Sequence, residues 1–148
     1  MTTPPPQPSP VGATGAEYDV LVERGKISEF AIAMQSENPA YQGPEAIAPP
    51  TFLAGAARPS GDGRIETGFE RARLLHGEQE YVFHGPPPRA GDILIARDRL
   101  VDRYTKAGKR GGEMRFAVVN TEFRSPSGDL VAEARATYIE TAATEGAR

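Results

Sequence analysis

The C-terminal half of the chain consists of alternating apolar segments separated by glycine- and proline-rich turns, and this pattern constrains the fold most. The segments run over Glu78–His84, Asp92–Tyr104, Glu113–Arg124 and Leu130–Ile139. Alternation with a period of two places every second side chain on one buried face, and turns of this composition join neighbouring antiparallel strands. The sequence therefore predicts a long antiparallel meander, with a further short β-rich run at Tyr18–Val22.

Small residues occupy the predicted buried face of the last strand. The residues that alternate on this face are Leu130, Ala132, Ala134, Ala136 and Tyr138. A row of alanines leaves room for a helix to lie close against the sheet. A helix that packs on an antiparallel sheet indicates an α+β domain, in which the sheet wraps around the helix.

One helix is predicted before the meander, over Glu29–Ser36, with Ser28 as its N-cap residue. The apolar residues at helical spacing are Phe30, Ala33 and Met34. The segment is apolar nearly all round, which favours burial on most sides. Pro39 ends the helix because proline removes a hydrogen-bond donor and restricts the residue before it.

The chain of 148 residues has the length of one domain. We expect a single domain over residues 16–141, a disordered proline-rich tail over residues 1–15 and a second tail over residues 142–148. Within the domain, a loop-rich stretch from Tyr41 to about Arg64 is expected to contain one short helical turn near Phe52–Ala56.

Composition excludes several classes of function. The formal net charge is −3, with acidic and basic residues interspersed, so neither nucleic acid nor an anionic membrane is an expected partner. No apolar run approaches the roughly 20 residues of a membrane span. The first residues lack the pattern of a secretory signal, and there are no cysteines. These features together predict a cytoplasmic protein.

Six short segments occur in an order and spacing that carry a family resemblance. They are Ser36–Tyr41, Ala48–Phe52, Leu75–Gln79, Pro88–Asp92, Gly128–Val131 and Thr137–Ile139. Over about residues 17–140 the chain resembles the MaoC-like dehydratases, specifically their fatty-acid-synthase-like dehydratase branch. The resemblance implies a hot-dog fold, a helix held in a curved antiparallel sheet. It also implies that two such units pair and that an acyl chain runs along their interface.

Active members of that family carry the motif Asp-x-Asn-Pro-x-His at the helix end. An imidazole and a carboxylate share the general acid/base steps that add water across a double bond conjugated to a thioester. In this chain Asn38 and Pro39 match the motif, but Ser36 and Tyr41 replace its aspartate and histidine. A serine hydroxyl does not ionise near neutral pH, and a phenol with an ordinary pKa of about 10 is a poor base there. The resemblance therefore implies a catalytically silent chain that pairs with a dyad-bearing hot-dog subunit.

The resemblance also implies which residues lie near the acyl groove and what binds there. The expected substrate-binding residues are Asn38, Tyr41, Pro50, Phe52, His76 and Gln79. The expected ligand is an acyl thioester of coenzyme A or of acyl carrier protein, with no cofactor. Structural roles stay open for several of them. Asn38 shapes the helix exit, Pro50 and Phe52 pack the loop over the helix, and His76 hydrogen-bonds in a turn.

Other polar residues have two interpretations each. Glu37 is either a displaced catalytic base or a solvated residue at the helix end. His84 ends a strand and is expected at the surface. Two histidines without a third ligand at suitable spacing do not predict a metal site. Lys106, Lys109 and Arg110 either meet the phosphates of coenzyme A or are solvated residues of a glycine-rich turn.

Three functions remain in competition. The first is an accessory subunit of a heteromeric (R)-specific enoyl-thioester hydratase or 3-hydroxyacyl-thioester dehydratase. The second is a homodimeric hydratase or thioesterase with a relocated site that uses Glu37 or His76. The third is a non-enzymatic domain that binds acyl thioesters.

Overall fold

The computed structural model describes residues 7–56, 63–109 and 111–143, and within these ranges the chain forms one α-helix and five β-strands. In chain order they are β1 (Tyr18–Leu21), α1 (Arg24–Ala33), β2 (Leu74–Phe83), β3 (Ile93–Ala107), β4 (Glu113–Arg124) and β5 (Leu130–Glu140). Short 3-10 turns occupy Pro39–Tyr41, Phe52–Gly55 and Arg71–Arg73. The turn at Phe52–Gly55 confirms the helical turn predicted in the loop.

The five strands form one antiparallel sheet in the order β1-β3-β4-β5-β2. Three of its strands come from the predicted meander with little change, and β4 has the predicted bounds. β2 begins at Leu74, earlier than predicted, because its first residues pair with the end of β5. One helix on a five-stranded antiparallel sheet confirms the predicted α+β hot-dog domain.

Helix α1 begins five residues before the predicted start, and Ser28 lies inside it rather than at its N-cap. The N-cap is Glu23, whose side chain makes no capping hydrogen bond. The earlier start buries Ile27 together with Ala31, one turn apart on the same helical face. Burial of that apolar pair outweighs the low helix propensity of Gly25 in the added turn.

Only one face of α1 is buried, which makes the prediction of burial on most sides wrong for the single chain. Ile32 is 72% exposed and Met34 is 42% exposed. Phe30 is half-buried and packs against the core beneath the helix. The sequence pattern was apolar all round, and the chain leaves part of that apolar surface in contact with solvent.

The helix-side face of the sheet carries two separate apolar clusters. The larger lies under α1 and joins Ile27 to Phe123, Ala132 and Ala134. The alanine row of β5 thus admits the helix, as predicted. The smaller cluster consists of Leu100, Ala117 and Val119, with Ile65, Phe69 and Tyr138 packed against it. The helix covers one end of the sheet, and the chain around residues 65–69 covers the other.

The N-terminal segment follows the sheet before β1 begins. The Ser9 N–H donates to Glu66 O, the Gly12 N–H donates to Leu100 O, and the Gly15 N–H donates to Asp98 O. Residues 9–15 of the predicted tail thus hydrogen-bond to the domain, while residues 1–6 and 144–148 lie outside the described residues. In the described part of the chain, no helix has the length and apolar character needed to cross a membrane. A cytoplasmic location stays a prediction.

Candidate functional site

The exit of α1, where the acid/base motif is expected, has a defined backbone geometry. The Ser36 N–H donates to Ala31 O and the Gln35 N–H donates to Ile32 O, both at 2.9 Å. Gln35 adopts a left-handed conformation with φ of 55°. These bonds form a Schellman motif, which satisfies the last carbonyl groups of the helix and turns the chain away from it. The Schellman motif therefore fixes the direction of the backbone at Ser36, where the chain exits the helix.

The following residues form a second local structure around Asn38. The Asn38 side-chain oxygen accepts a hydrogen bond from the Ala40 N–H at 3.0 Å, and Pro39 begins a 3-10 turn. The Ser36 hydroxyl accepts from the Asn38 N–H at 3.3 Å. Asn and Ser side chains stabilise turns in this way without any catalytic role. The matching residues Asn38 and Pro39 thus hold the turn even though its titrating residues are absent.

The two dyad positions lie on this turn. Tyr41 is half-buried and packs against the cluster under α1. Ser36 is half-buried and its hydroxyl already serves the turn. Neither side chain supplies the carboxylate or imidazole that general acid/base catalysis of hydration uses. Glu37, the alternative carboxylate, is exposed to solvent.

Two other predicted substrate-binding residues lie in the loop opposite the helix. Phe52 is 8% exposed and meets Phe30 edge to face, with ring centroids 5.8 Å apart. This geometry is favourable for aromatic pairs and makes Phe52 part of the core. Pro50 is exposed. Phe52, Phe30 and Leu53 also line an open cavity of about 580 Å³ beside α1.

His76 and Gln79 lie on β2, apart from the helix-exit turn in the fold. His76 is exposed, and its ring meets the Tyr138 ring edge to face at 5.2 Å. The Gln79 amide nitrogen donates to Arg135 O across the strand pair at 3.3 Å. A β-bulge lies between His76 and Glu78 in the pairing with β5. Both residues point to the helix-side face, since they pair with Tyr138 and Ala136.

His84 is exposed, as predicted, but it has a partner that the sequence did not indicate. Its Nε2 lies 2.8 Å from Glu133 Oε2, and the Asn120 side-chain amide donates to Glu133 Oε1 at 2.9 Å. The hydrogen bond from Asn120, followed by that of His84, lowers the pKa of the Glu133 carboxyl below its ordinary value. These contacts join β4 and β5 to the residue that directly follows β2, on the outer face of the sheet.

The basic hairpin between β3 and β4 is built around an aromatic stack. Tyr104 and Phe116 are nearly parallel, with centroids 4.7 Å apart, and Lys106 Nζ lies 5.2 and 5.3 Å from the two rings. Lys106 is thus engaged in cation–π contacts. Lys109 is exposed, and Arg110 lies outside the described residues. Contact with the phosphates of coenzyme A stays a prediction.

Asp98, a polar residue of the helix-side face, was missed by the sequence analysis. Asp98 lies on β3 in a row with Leu94, Ala96 and Leu100, all three of which are buried. Thr121 Oγ1 donates to Asp98 Oδ1 at 2.6 Å. The alternation of β3 already contained the signal, because an aspartate interrupts an otherwise apolar row. Among the residues that the structure describes, no group of three or more His, Cys, Asp or Glu side chains is arranged to hold a metal ion.

Comparison with known proteins decides the family. A family model described as the FAS1-like dehydratase domain region matches residues 9–134. The chain belongs to the FAS1-like dehydratase family. A UPF0336 protein of Saccharopolyspora erythraea is 32% identical to this chain over 130 residues. The matched region covers 80% of each of the two chains. Membership confirms the resemblance to the fatty-acid-synthase-like branch of the MaoC-like dehydratases.

Two solved complexes from Mycobacterium tuberculosis contain chains with the same fold as this FAS1-like dehydratase. A chain of C-terminally truncated HadBC, a 3R-hydroxyacyl-ACP dehydratase, is 22% identical with a TM-score of 0.67, covering 87% of this chain and 96% of that one. A chain of the ChsH1–ChsH2 complex is 16% identical with a TM-score of 0.67, covering 90% and 87%.

Proposed function

We propose that this chain is an accessory subunit of a heteromeric hydro-lyase that interconverts enoyl and (R)-3-hydroxyacyl thioesters. The observation that carries the proposal is the helix-exit turn. Its backbone is held by Asn38 and by the Schellman motif, while Ser36 and Tyr41 occupy the two positions of the acid/base pair. A chain that keeps the shape of the motif and lacks its chemistry fits a structural partner of a catalytic subunit.

The free edge of the sheet supports pairing with a second hot-dog chain. β2 is an edge strand of ten residues, and most of its side chains are exposed, including Leu74, Leu75 and Val82. Backbone groups along such an edge are available to pair with another strand. The proposed occupant is a dyad-bearing hot-dog subunit, which agrees with the heteromeric nature of the HadBC and ChsH1–ChsH2 complexes.

In such a complex, the chain contributes walls of the acyl groove rather than reacting groups. Tyr41, His76 and Gln79 are the residues we propose for contact with the acyl thioester, together with Asn38, Pro50 and Phe52. His76 and Gln79 belong to the edge strand and face the helix side. Pairing along β2 therefore brings them beside the partner, where an acyl chain bound at the interface touches both subunits. The thioester carrier is coenzyme A or acyl carrier protein, and the complex is cytoplasmic.

The test compares the chain alone with the assembled complex. The purified chain is expected not to hydrate crotonyl-CoA, and activity is expected once it is mixed with the dyad-bearing protein that copurifies from its native host. Two controls define the result. The partner alone must be less active than the mixture, and a partner with alanine at its motif histidine must be inactive in the mixture.

A lone chain that hydrates crotonyl-CoA at the rate of the mixture contradicts the proposal. Glu37→Gln and His76→Ala variants then locate the relocated site, because one of them must lose activity if the homodimer is the enzyme. If the accessory role holds, Glu37→Gln leaves the activity of the mixture unchanged, since that carboxylate is exposed and takes no part in the partner's chemistry.

A further inference from the structure

The backbone of β2 presents one row of hydrogen-bonding groups to β5 and a second row to the free edge of the sheet. The His84 N–H donates to Val131 O, which fixes the alternation along this antiparallel pair. The N–H and C=O groups of Gln79, Tyr81 and Phe83 therefore point away from β5. A second strand that pairs with β2 forms its hydrogen bonds with these three residues.

The outer face of this edge carries two glutamates. Glu78 pairs with Thr137 of β5, and Glu80 pairs with Arg135. Thr137 and Arg135 flank Ala136, which is buried on the helix side, so both glutamate side chains lie on the opposite face. Both glutamates are exposed. Neither forms an ion pair with another described residue, although Arg135 stands opposite Glu80.

The described chain is continuous around the two glutamates, over the whole of β2 and β5. Ala56 and Gly63 flank the range 57–62, which lies outside the described residues. Ala56 lines a cavity together with residues of β1, and the Gly63 carbonyl oxygen accepts a hydrogen bond from the segment before β1. β1 and β2 are the opposite edges of the sheet, so both flanking residues lie far from Glu78 and Glu80.

Two copies of this chain that pair along β2 bring like charges together. Antiparallel pairing about a two-fold axis repeats each contact, and an axis that uses the free backbone groups passes at Gln79, Glu80 or Tyr81. At Gln79, Glu78 of each copy is opposite Glu80 of the other. At Glu80, the two Glu80 side chains are directly opposite, and at Tyr81 they are diagonal neighbours. Like charges in such positions destabilise a strand pair.

A partner strand with lysine or arginine at these positions is stabilised by the same two glutamates. Opposite charges on facing strands attract, and complementary charge favours one partner over another. Charged residues on an edge strand also oppose unwanted pairing. The glutamates therefore discourage self-association and leave the backbone edge open to a strand of opposite charge.

We propose that β2 is the docking edge for a hot-dog subunit whose own edge strand carries lysine or arginine opposite Glu78 and Glu80. The same two carboxylates prevent pairing between two copies of this chain. The inference rests on the pairing along β2 proposed above and adds the chemistry of the partner. Glu78 and Glu80 are the residues that determine which subunit pairs.

The experiment supplies a basic strand by reversing the charge of the chain itself. The full chain is mixed with its double variant Glu78→Lys, Glu80→Lys, and analytical ultracentrifugation follows the association of each protein alone and of the mixture. The mixture is expected to form a one-to-one dimer whose dissociation constant is at least about tenfold below that of either self-dimer. Salt at about 1 M, where the screening length is about 3 Å, is expected to remove this preference.

A charge-matched variant separates the effect of the edge from that of net charge. The double variant Glu29→Lys, Glu113→Lys carries the same change at exposed positions outside β2. It is expected to pair with the parent chain no more tightly than the parent pairs with itself. Hydrogen exchange followed by NMR locates the contact, since the amide protons of Gln79, Tyr81 and Phe83 are expected to become protected in the mixed dimer.

Four results overturn the proposal. They are a parent self-dimer as tight as the mixed dimer, no association in the mixture, equally tight pairing with the control variant, and protection confined to the amides of β1. Where the lysine variant fails to fold, the neutral variant Glu78→Gln, Glu80→Gln decides the question. Its self-association must be tighter than that of the parent, and unchanged self-association overturns the proposal.

These measurements use neither substrate nor a dyad-bearing protein. Their failure is therefore distinct from failure of the accessory role, which the activity of the lone chain and of the mixture with its native partner decides.

Discussion

Gly77 leaves no room for a side chain against Ile139. A Cβ atom placed on Gly77 would overlap Ile139 Cδ1 and approach its Cγ1 to 3.0 Å. The glycine lies in the β-bulge between His76 and Glu78, opposite the end of β5. A side chain at this position therefore requires the Ile139 side chain to shift.

Gly77→Ala is expected to lower the free energy of unfolding by about 1–3 kcal/mol, because the added methyl group displaces Ile139 or the β2 backbone. Gly85→Ala is the matched control, since a Cβ there meets no atom within 4 Å. Urea unfolding of both variants measures the difference. The double variant Gly77→Ala, Ile139→Val is expected to recover part of the loss, and no recovery would contradict the overlap as its cause.

Glu140 is the second position where a large effect is expected. It is 2% exposed and accepts hydrogen bonds from the Glu70 N–H at 2.6 Å and from Arg115, with Arg73 3.3 Å away. Burial acts to raise the pKa of Glu140, but the Glu70 N–H and the two arginines outweigh burial and lower the pKa below its ordinary value.

Glu140→Gln is expected to lower the free energy of unfolding by about 1.5–3 kcal/mol at neutral pH, the range for hydrogen bonds to charged groups. A carboxyl with a lowered folded pKa stabilises the protein above its unfolded pKa, and that contribution is lost as the pH falls through the folded pKa. The difference between parent and variant should thus shrink in acid. Glu113→Gln, at an exposed site of the same hairpin end, is the control. A difference that is constant with pH would refute this account.

The lowered pKa of Glu133 has a direct spectroscopic test. The hydrogen bond from Asn120 is its main cause, so Asn120→Ala is expected to raise the pKa of Glu133 towards its ordinary value of 4.5. NMR titration of the side-chain carboxyl carbon measures the change. His84→Ala is expected to shift the same pKa upwards by less. An unchanged value in Asn120→Ala would show that the hydrogen bond is absent in solution.

Gln35 is expected to be replaceable by glycine with a gain in stability. Its φ of 55° lies in the left-handed region, which costs about 1–2 kcal/mol for a residue with a side chain. Glycine avoids that cost but loses more chain entropy on folding, so Gln35→Gly should gain about 0.5–1 kcal/mol. Gln42→Gly, at a φ of −119°, is the control and should lose stability. Thermal unfolding of both variants measures whether each substitution raises or lowers the stability.

The comparison of β4 with α1 shows which element bounds the local sequence pattern could predict. The bounds of β4 follow from alternation and flanking turns, which are local signals, and they were predicted without error. The start of α1 depends on whether burying Ile27 beneath the helix is worth an extra turn containing Gly25. The free energy gained by burying Ile27 depends on its contacts with Phe123, Ala132 and Ala134, which lie on strands distant in sequence. The local sequence around the helix therefore does not predict where the helix starts.

The sequence alone was enough to predict the family and the loss of the acid/base pair. A motif depends only on residue identity, and here Ser36 and Tyr41 replace its aspartate and histidine. Only the tertiary structure decided the partners of the buried and charged groups. The folded chain brings the Glu70 backbone N–H to Glu140 and the His84 side chain to Glu133, pairs separated by 70 and 49 residues. Residues so far apart in sequence become partners only in the folded chain. The ion pairs and hydrogen bonds of the charged groups are therefore set by the tertiary structure, whereas the family is evident from the sequence.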